Sequence, residues 1–194
     1  MESGGNSRGR LVLLAVVFEG GLAGLAWVLG WLIGQPALEH FSWDARDAGL
    51  GFAACLPMLL LLYLIVRWPL GPLAGVKHFF DEVARPLFGP CTLLELAMIS
   101  LLAGLGEEML FRGVLQGALA RWLGPLAGLL LTSLFFGLAH PITATYAVIA
   151  FLMGLYLGGL LMAAGNLLVP IEAHALYDFL ALVYLLRVRT APAG

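Results

Sequence analysis

Charge is what this chain has least of. Asp, Glu, Lys and Arg make up 11% of its 194 residues, against about a quarter in soluble globular proteins. A separate soluble domain is therefore excluded, and no polar stretch is long enough to form one. Cysteine is nearly absent. Cys55 and Cys91 each belong to an apolar run, with no Cys-x-x-Cys or Cys/His spacing, so neither a disulfide framework nor a cysteine metal site is expected. Basic runs are missing and the net charge is −2, which leaves no electrostatic footprint for nucleic acid. There is no internal repeat or low-complexity tract. There is also no His-Glu-x-x-His sequence, which excludes a conventional zincin site.

What the sequence does have is apolar length. It is 61% hydrophobic, with a mean hydropathy of +0.97. With roughly 30 residues per span and its loop, of which about 20 cross the membrane, the chain suits one integral membrane domain over residues 1–194. The expected fold class is all-α, a polytopic transmembrane helical bundle of about six spanning helices plus an interfacial amphipathic helix. Apolar segments cover 11–33, 50–66, 92–122, 124–140, 145–164 and 167–186. The first follows Arg8 and Arg10 as a signal peptide would. It is too long for that and lacks a small-x-small cleavage site, so it is expected to be retained. Between the second and third segments, Leu73, Val76, Phe80, Val83 and Leu87 recur at helical spacing opposite Lys77, Asp81, Glu82 and Arg85. That pattern suits a helix lying in the membrane interface, or an ordinary surface connector.

Six spans put both termini on one side. Arg8, Arg10, Arg67, Lys77, Arg85, Arg187 and Arg189 then share that side, with Arg46 and Arg121 opposite. The positive-inside rule makes the shared side cytoplasmic, and a bacterial inner membrane is the expected location. Gly-x-x-x-Gly spacings at Gly20/Gly24, Gly30/Gly34, Gly113/Gly117, Gly124/Gly128 and Gly154/Gly158 are places where helices could approach closely.

Against this background, Glu107, Glu108 and Arg112 stand out. A charge at the bilayer centre costs about 2.5–3.5 kcal/mol on insertion scales. Glu108 and Arg112, four residues apart on a helix, can pair. Glu107 lies about 100° round the helix, with no cation three or four residues away. His140 ends the fourth segment. His174 lies in the sixth, with Asp178 one turn later on the same face. Glu107, His140, His174 and Asp178 could converge into one acid–base or metal-binding site, or could serve as separate hydrogen-bonding groups between helices. If they converge, Glu107 can take a proton from water and the imidazoles can hold a metal or face a developing oxyanion. Asp178 can fix the orientation of His174. Glu108 and Arg112 would orient the Glu107 backbone, or be a simple buried ion pair. Glu19, Glu95 and Glu172 are expected to make interhelical hydrogen bonds, and His40 and His78 to be solvated.

One geometric obstacle is foreseeable. In a uniform six-span bundle His140 and His174 lie on the order of 15 Å apart in depth. An extended entry from Gly165 to Pro170 would close that gap, so Asn166–Val169 is expected to be non-helical.

Glu-Glu-x-x-x-Arg at Glu107, Glu108 and Arg112, Phe-x-x-x-His at Phe136 and His140, and His-x-x-x-Asp at His174 and Asp178 occur in this order. Together they resemble the CPBP family of intramembrane proteases, which includes type II CAAX prenyl endopeptidases and bacterial Abi-type proteins. The resemblance covers about 92–187. It implies hydrolysis of a peptide bond in a membrane-associated substrate, with the lipid bilayer as the protein's other partner. Glu107 would activate the water, while His140, His174 and Asp178 bind water or a metal and stabilise the oxyanion. Two mechanisms stay open: a divalent metal such as zinc held by His140 and His174, or a metal-free glutamate mechanism. The competing reading is a non-proteolytic membrane protein of the same family, an immunity factor or scaffold, or a small proton-coupled carrier.

Overall fold

The computed structural model describes residues 3–188. Helix α1 covers Ser3–Ile33, α2 Ala45–Arg67, α3 Leu73–Phe88, α4 Leu93–Leu123, α5 Pro125–Leu138 and α6 Ala144–Ala164. The last, α7, covers Leu168–Val183 and continues through a wider turn, Tyr184–Val188. The described residues contain no strand. The protein is an all-α polytopic bundle.

Helices α1, α2, α6 and α7 are each long and apolar enough to cross a membrane. The α3–α4 pair, bent by 117°, raises the number to five. The expectation of about six spans is corrected at α5, which has 14 residues. At 1.5 Å per residue it is about 21 Å long, short of the roughly 30 Å of hydrocarbon. Apolar sequence runs on to Ala139, but the helix stops. The backbone N–H groups of Ala139 and His140 close its last turn, and Pro141 cannot continue it. Helix α2, by contrast, runs unbroken through Pro57.

Contacts at the helix ends set the directions. Arg8 near the start of α1 lies 3.5 Å from Glu95 near the start of α4. Arg121 near the end of α4 donates to the Gly34 carbonyl just beyond α1 at 2.9 Å. Helices α1 and α4 therefore run parallel. Arg187 donates to the carbonyls of Gly89 and Cys91, just ahead of α4, so α7 runs against it. The start of α1 and the end of α7 thus meet at one end of the bundle.

Small residues allow the close packing. A Cβ on Gly104 would fall 2.8 Å from Ala175 of α7, and one on Gly106 would fall 2.5 Å from the Glu19 carbonyl of α1. Among the five glycine pairs, Gly154/Gly158 pack against Ser133 and Gln116 of neighbouring helices. Gly113/Gly117 instead meet Ala37 and Gln35 of the α1–α2 loop, and Gly20/Gly24 face open space. Both cysteines are buried and free.

The α6–α7 connection differs from expectation. Gly165 takes a left-handed conformation (φ +69°) that ends α6, and α7 begins at Leu168 with Pro170 in its first turn. The break is therefore Gly165–Leu167, shorter than Asn166–Val169. Asn166 clamps it: its Oδ1 accepts from the N–H groups of Ser42 and Leu168, and its Nδ2 donates to the Ser42 carbonyl and to Asp47. Leu167 donates to the His40 carbonyl, and Leu167, Leu168 and Val169 are all buried. The turn is sunk into the bundle beneath the α1–α2 loop, where protein satisfies its backbone. That sunken start lets α7 deliver His174 to the depth of His140 without an extended segment.

Helix α3 matches the amphipathic pattern only in part. Val76 is buried, but Val83 and Leu87 are exposed. Lys77 and Arg85 both pair with Asp81, at 2.7 and 3.6 Å. At the entry to α4, Thr92 and Glu95 form a reciprocal cap. Glu95 is thus an end cap, and it also makes an interhelical ion pair with Arg8 of α1.

Candidate active site

Midway along α4, the hydrogen bonding widens from Met109 to Gln116, immediately after the two glutamates. Wide turns of this kind recur at functional sites. Glu107 and Glu108 point to different surroundings, as their 100° separation requires.

Glu108 is wholly buried and Arg112 is 1% exposed. The Glu108 Oε1 atom accepts from Arg112 Nη1 at 3.0 Å and lies 2.8 Å from His174 Nδ1. Arg112 Nη2 donates to the Gly154 carbonyl of α6 at 3.2 Å, and one turn on Gln116 donates to Gly158. The pair therefore does more than neutralise itself. It ties α4 to α6 and fixes one ring nitrogen of His174. The expectation that Asp178 orients His174 is revised: Asp178 Oδ2 is 3.6 Å from Nε2, too far for a hydrogen bond. The orienting carboxylate is Glu108.

Phe136 gives the Phe-x-x-x-His spacing its physical sense. Its ring lies 4.3 Å from Arg112 Cζ, 4.6 Å from the His140 ring centroid and 6.0 Å from that of His174. Its carbonyl is 2.7 Å from His140 Nδ1. A backbone oxygen only accepts, so Nδ1 carries the proton and Nε2 turns toward Glu107 Oε2, 3.9 Å away. That Glu107 oxygen is buried without a hydrogen-bond partner.

Glu107, His140, His174 and Asp178 line one cavity of about 530 Å³, mouth included. It is bounded by α2 through Met58, α5 through Phe136, and α6 and α7 through Tyr146 and Tyr177. All six polar residues singled out by the three motifs are thus gathered here, four on the cavity wall and Glu108 and Arg112 directly behind it. Such a site holds an acid with a free lone pair, an imidazole nitrogen facing it, and a second imidazole held by a buried ion pair. Those are the parts needed to activate water and to receive charge on an oxygen. Among the described residues, no three His, Cys, Asp or Glu side chains are grouped closely enough to hold one metal ion. As arranged, these side chains do not form a three-ligand metal site.

Three wall or near-wall residues lie outside the motifs. Tyr146 and Tyr177 belong to no motif. Glu19 of α1 lies within electrostatic reach of Glu107, Asp178 and His174, and its Oε2 is buried without a partner. The interhelical hydrogen bond expected for it is absent from that oxygen, as it is for Glu172 Oε2. A lone acid on a Gly-rich face was the available signal for Glu19.

Comparison with known proteins bears on the same region. The family model of type II CAAX prenyl endopeptidases, Rce1-like, matches residues 89–180. An uncharacterised Bacillus subtilis protein, YpbD, is 28% identical over 143 residues, covering 70% of this chain and 69% of the relative. No solved structure matches the chain. The matched segment runs from the foot of α4 into α7 and contains every motif residue of the cavity. Over residues 89–180, this integral membrane protein is similar to the Rce1-like type II CAAX prenyl endopeptidases, a family of membrane proteases.

Proposed function

We propose that the chain is an intramembrane endopeptidase in which Glu107 activates the attacking water. The observation that carries this reading is the unpartnered Glu107 Oε2 facing His140 Nε2 inside a cavity also lined by His174 and Asp178. A water lying between Glu107 and His140 can donate one proton to each. Glu107 takes a proton as the water oxygen bonds to the substrate carbonyl carbon, and the carbonyl oxygen becomes an oxyanion. His174, as an imidazolium with its Nδ1–H on Glu108, presents its Nε2–H beside Asp178 as the donor placed to receive that charge. The C–N bond then breaks, and Glu107 returns its proton to the leaving amine. Glu108 and Arg112 act as positioning residues through His174.

The substrate is a membrane-associated peptide or protein, and the bilayer is the other partner. Both ends of the chain lie on the cytoplasmic side of a bacterial inner membrane in this reading. Support comes from the meeting of Arg8, Arg85 and Arg187 at one end of the bundle with Arg121 at the other.

The test is cleavage of a prenylated reporter peptide by the full chain in liposomes. Glu107→Gln keeps shape and removes the base, so the rate should fall by about 10²–10⁴-fold with unchanged melting. A variant that cleaves as well as the parent rules out the role. A parent that never cleaves, but changes proton flux on the same substitution, points to the carrier reading.

A further inference from the structure

A carbonyl oxygen that becomes an oxyanion in this cavity needs hydrogen-bond donors, and oxyanion holes commonly supply more than one. His174 Nε2–H is the first. The rest of the wall sorts by what each side chain has to give. Glu107 and Asp178 are acceptors, and His140 spends its Nδ1–H on the Phe136 carbonyl. Met58, Phe136, Ile149, Ala150, Met153 and Leu157 have no N–H or O–H on their side chains. Two donors remain on this wall, the phenols of Tyr146 and Tyr177. Among the described residues neither hydroxyl has a hydrogen-bond partner, whereas Tyr156, farther along α6, gives its own to the Ala54 carbonyl at 2.9 Å.

The two phenols are not equivalent. Tyr146 is within electrostatic reach of both Glu107 and Asp178, while Tyr177 reaches Asp178 and Tyr146. The seat of Tyr146 is fixed as well. Its backbone N–H donates to Thr143 Oγ1, the cap of α6, at 3.0 Å. Its ring lies between His140 at the end of α5 and Phe80 of α3, with centroids 6.2 and 6.4 Å away. A donor held in place beforehand costs no reorganisation when charge develops. A phenol, with an ordinary pKa of about 10, still carries its proton at neutral pH.

We propose that Tyr146 is a further catalytic residue, its O–H donating to the same carbonyl oxygen as His174 while charge builds there. The inference rests on the endopeptidase reading of the cavity. The phenol keeps its proton throughout: one hydrogen bond forms and tightens, and the O–H bond does not break. Tyr177 lines the same wall without reaching Glu107, which makes it the control.

The test uses the full chain in liposomes with two probes, the prenylated reporter peptide and its phosphonate analogue, whose tetrahedral anion imitates the oxyanion. Tyr146→Phe keeps the ring between His140 and Phe80 and removes only the hydroxyl. The expected result is a fall in kcat of about 10²-fold with KM little changed. Affinity for the phosphonate should fall by a comparable factor, and melting in detergent should stay as in the parent. Tyr177→Phe should alter both far less. Parent-like kcat and phosphonate affinity in Tyr146→Phe overturn the proposal. So does a larger loss in Tyr177→Phe, or an equal loss of affinity for peptide and phosphonate, since a merely structural change weakens both alike. Failure of the endopeptidase reading looks different: a parent that cuts no peptide and holds the phosphonate no tighter than the peptide removes the protease, and the role of Tyr146 with it.

Discussion

Helices α1 and α7 are both long and apolar, yet they occupy opposite situations. The more hydropathic one, α1, is mostly exposed, whereas about half of α7 is buried. Leu13, Leu14, Val17, Phe18, Trp27 and Trp31 of α1 are all exposed and face where lipid would lie. Helix α7 is lower in hydropathy because it carries His174 and Asp178, and it runs through the middle of the bundle between α2 and α4. In a membrane protein, then, apolar purity marks the periphery and polar interruption marks the centre. Without a drive to hide apolar groups from lipid, only packing and polar contacts choose the interior. Helix α1 touches the site at two points, its backbone against Gly106 and the Glu19 carboxyl near Glu107.

This contrast can be broken or sharpened by substitution. The largest effect is expected at the centre. Arg112→Met leaves Glu108 charged and buried with His174 as its remaining partner, which costs about 3–5 kcal/mol, and melting in detergent should drop accordingly. Replacing both partners, Glu108→Leu with Arg112→Met, should recover most of that stability but not cleavage, because His174 loses the oxygen that orients it. A double variant as unstable as the single would show that the pair holds the bundle together for some other reason.

A middling effect belongs where centre and periphery meet. In Gly106→Val the new Cβ encounters the α1 backbone rather than a movable side chain. Melting should reflect a loss of about 1–3 kcal/mol, and cysteine crosslinks between α1 and α4 should weaken. Unchanged melting would mean that α1 is not seated against α4. The smallest effect is at Glu19→Gln, which keeps shape and removes one charge near Glu107. It should slow cleavage about two- to threefold without altering melting. An unaltered rate would show that Glu19 does not influence Glu107.

Much of this is legible in the sequence alone. Glu107, Glu108, Arg112, His140, His174 and Asp178 could be picked out because charge and imidazole are expensive in lipid. The all-α bundle followed from hydropathy alone. Other features were hidden for specific reasons. The end of α5 was invisible because Ala139 remains apolar beyond the helix, while hydropathy reports polarity and not hydrogen bonding. The sunken α6–α7 turn depends on Asn166 reaching Ser42 and Asp47, more than a hundred residues away in sequence. That Glu108 rather than Asp178 holds His174 could not be read from spacing, since i,i+4 proximity suggests the local partner and tertiary packing supplied the distant one. Tyr146 and Tyr177 carry no periodic or charge signal at all.

The central claim is that Glu107 removes a proton from water, and chemical rescue tests it most directly. The full chain carrying Glu107→Ala should be reconstituted in liposomes and its cleavage of the membrane-anchored reporter followed with and without added formate, a small carboxylate able to enter the vacated space. The account predicts a rate near background without formate and a rise in proportion to formate concentration. A parent-like rate in the alanine variant, with no response to formate, would contradict it.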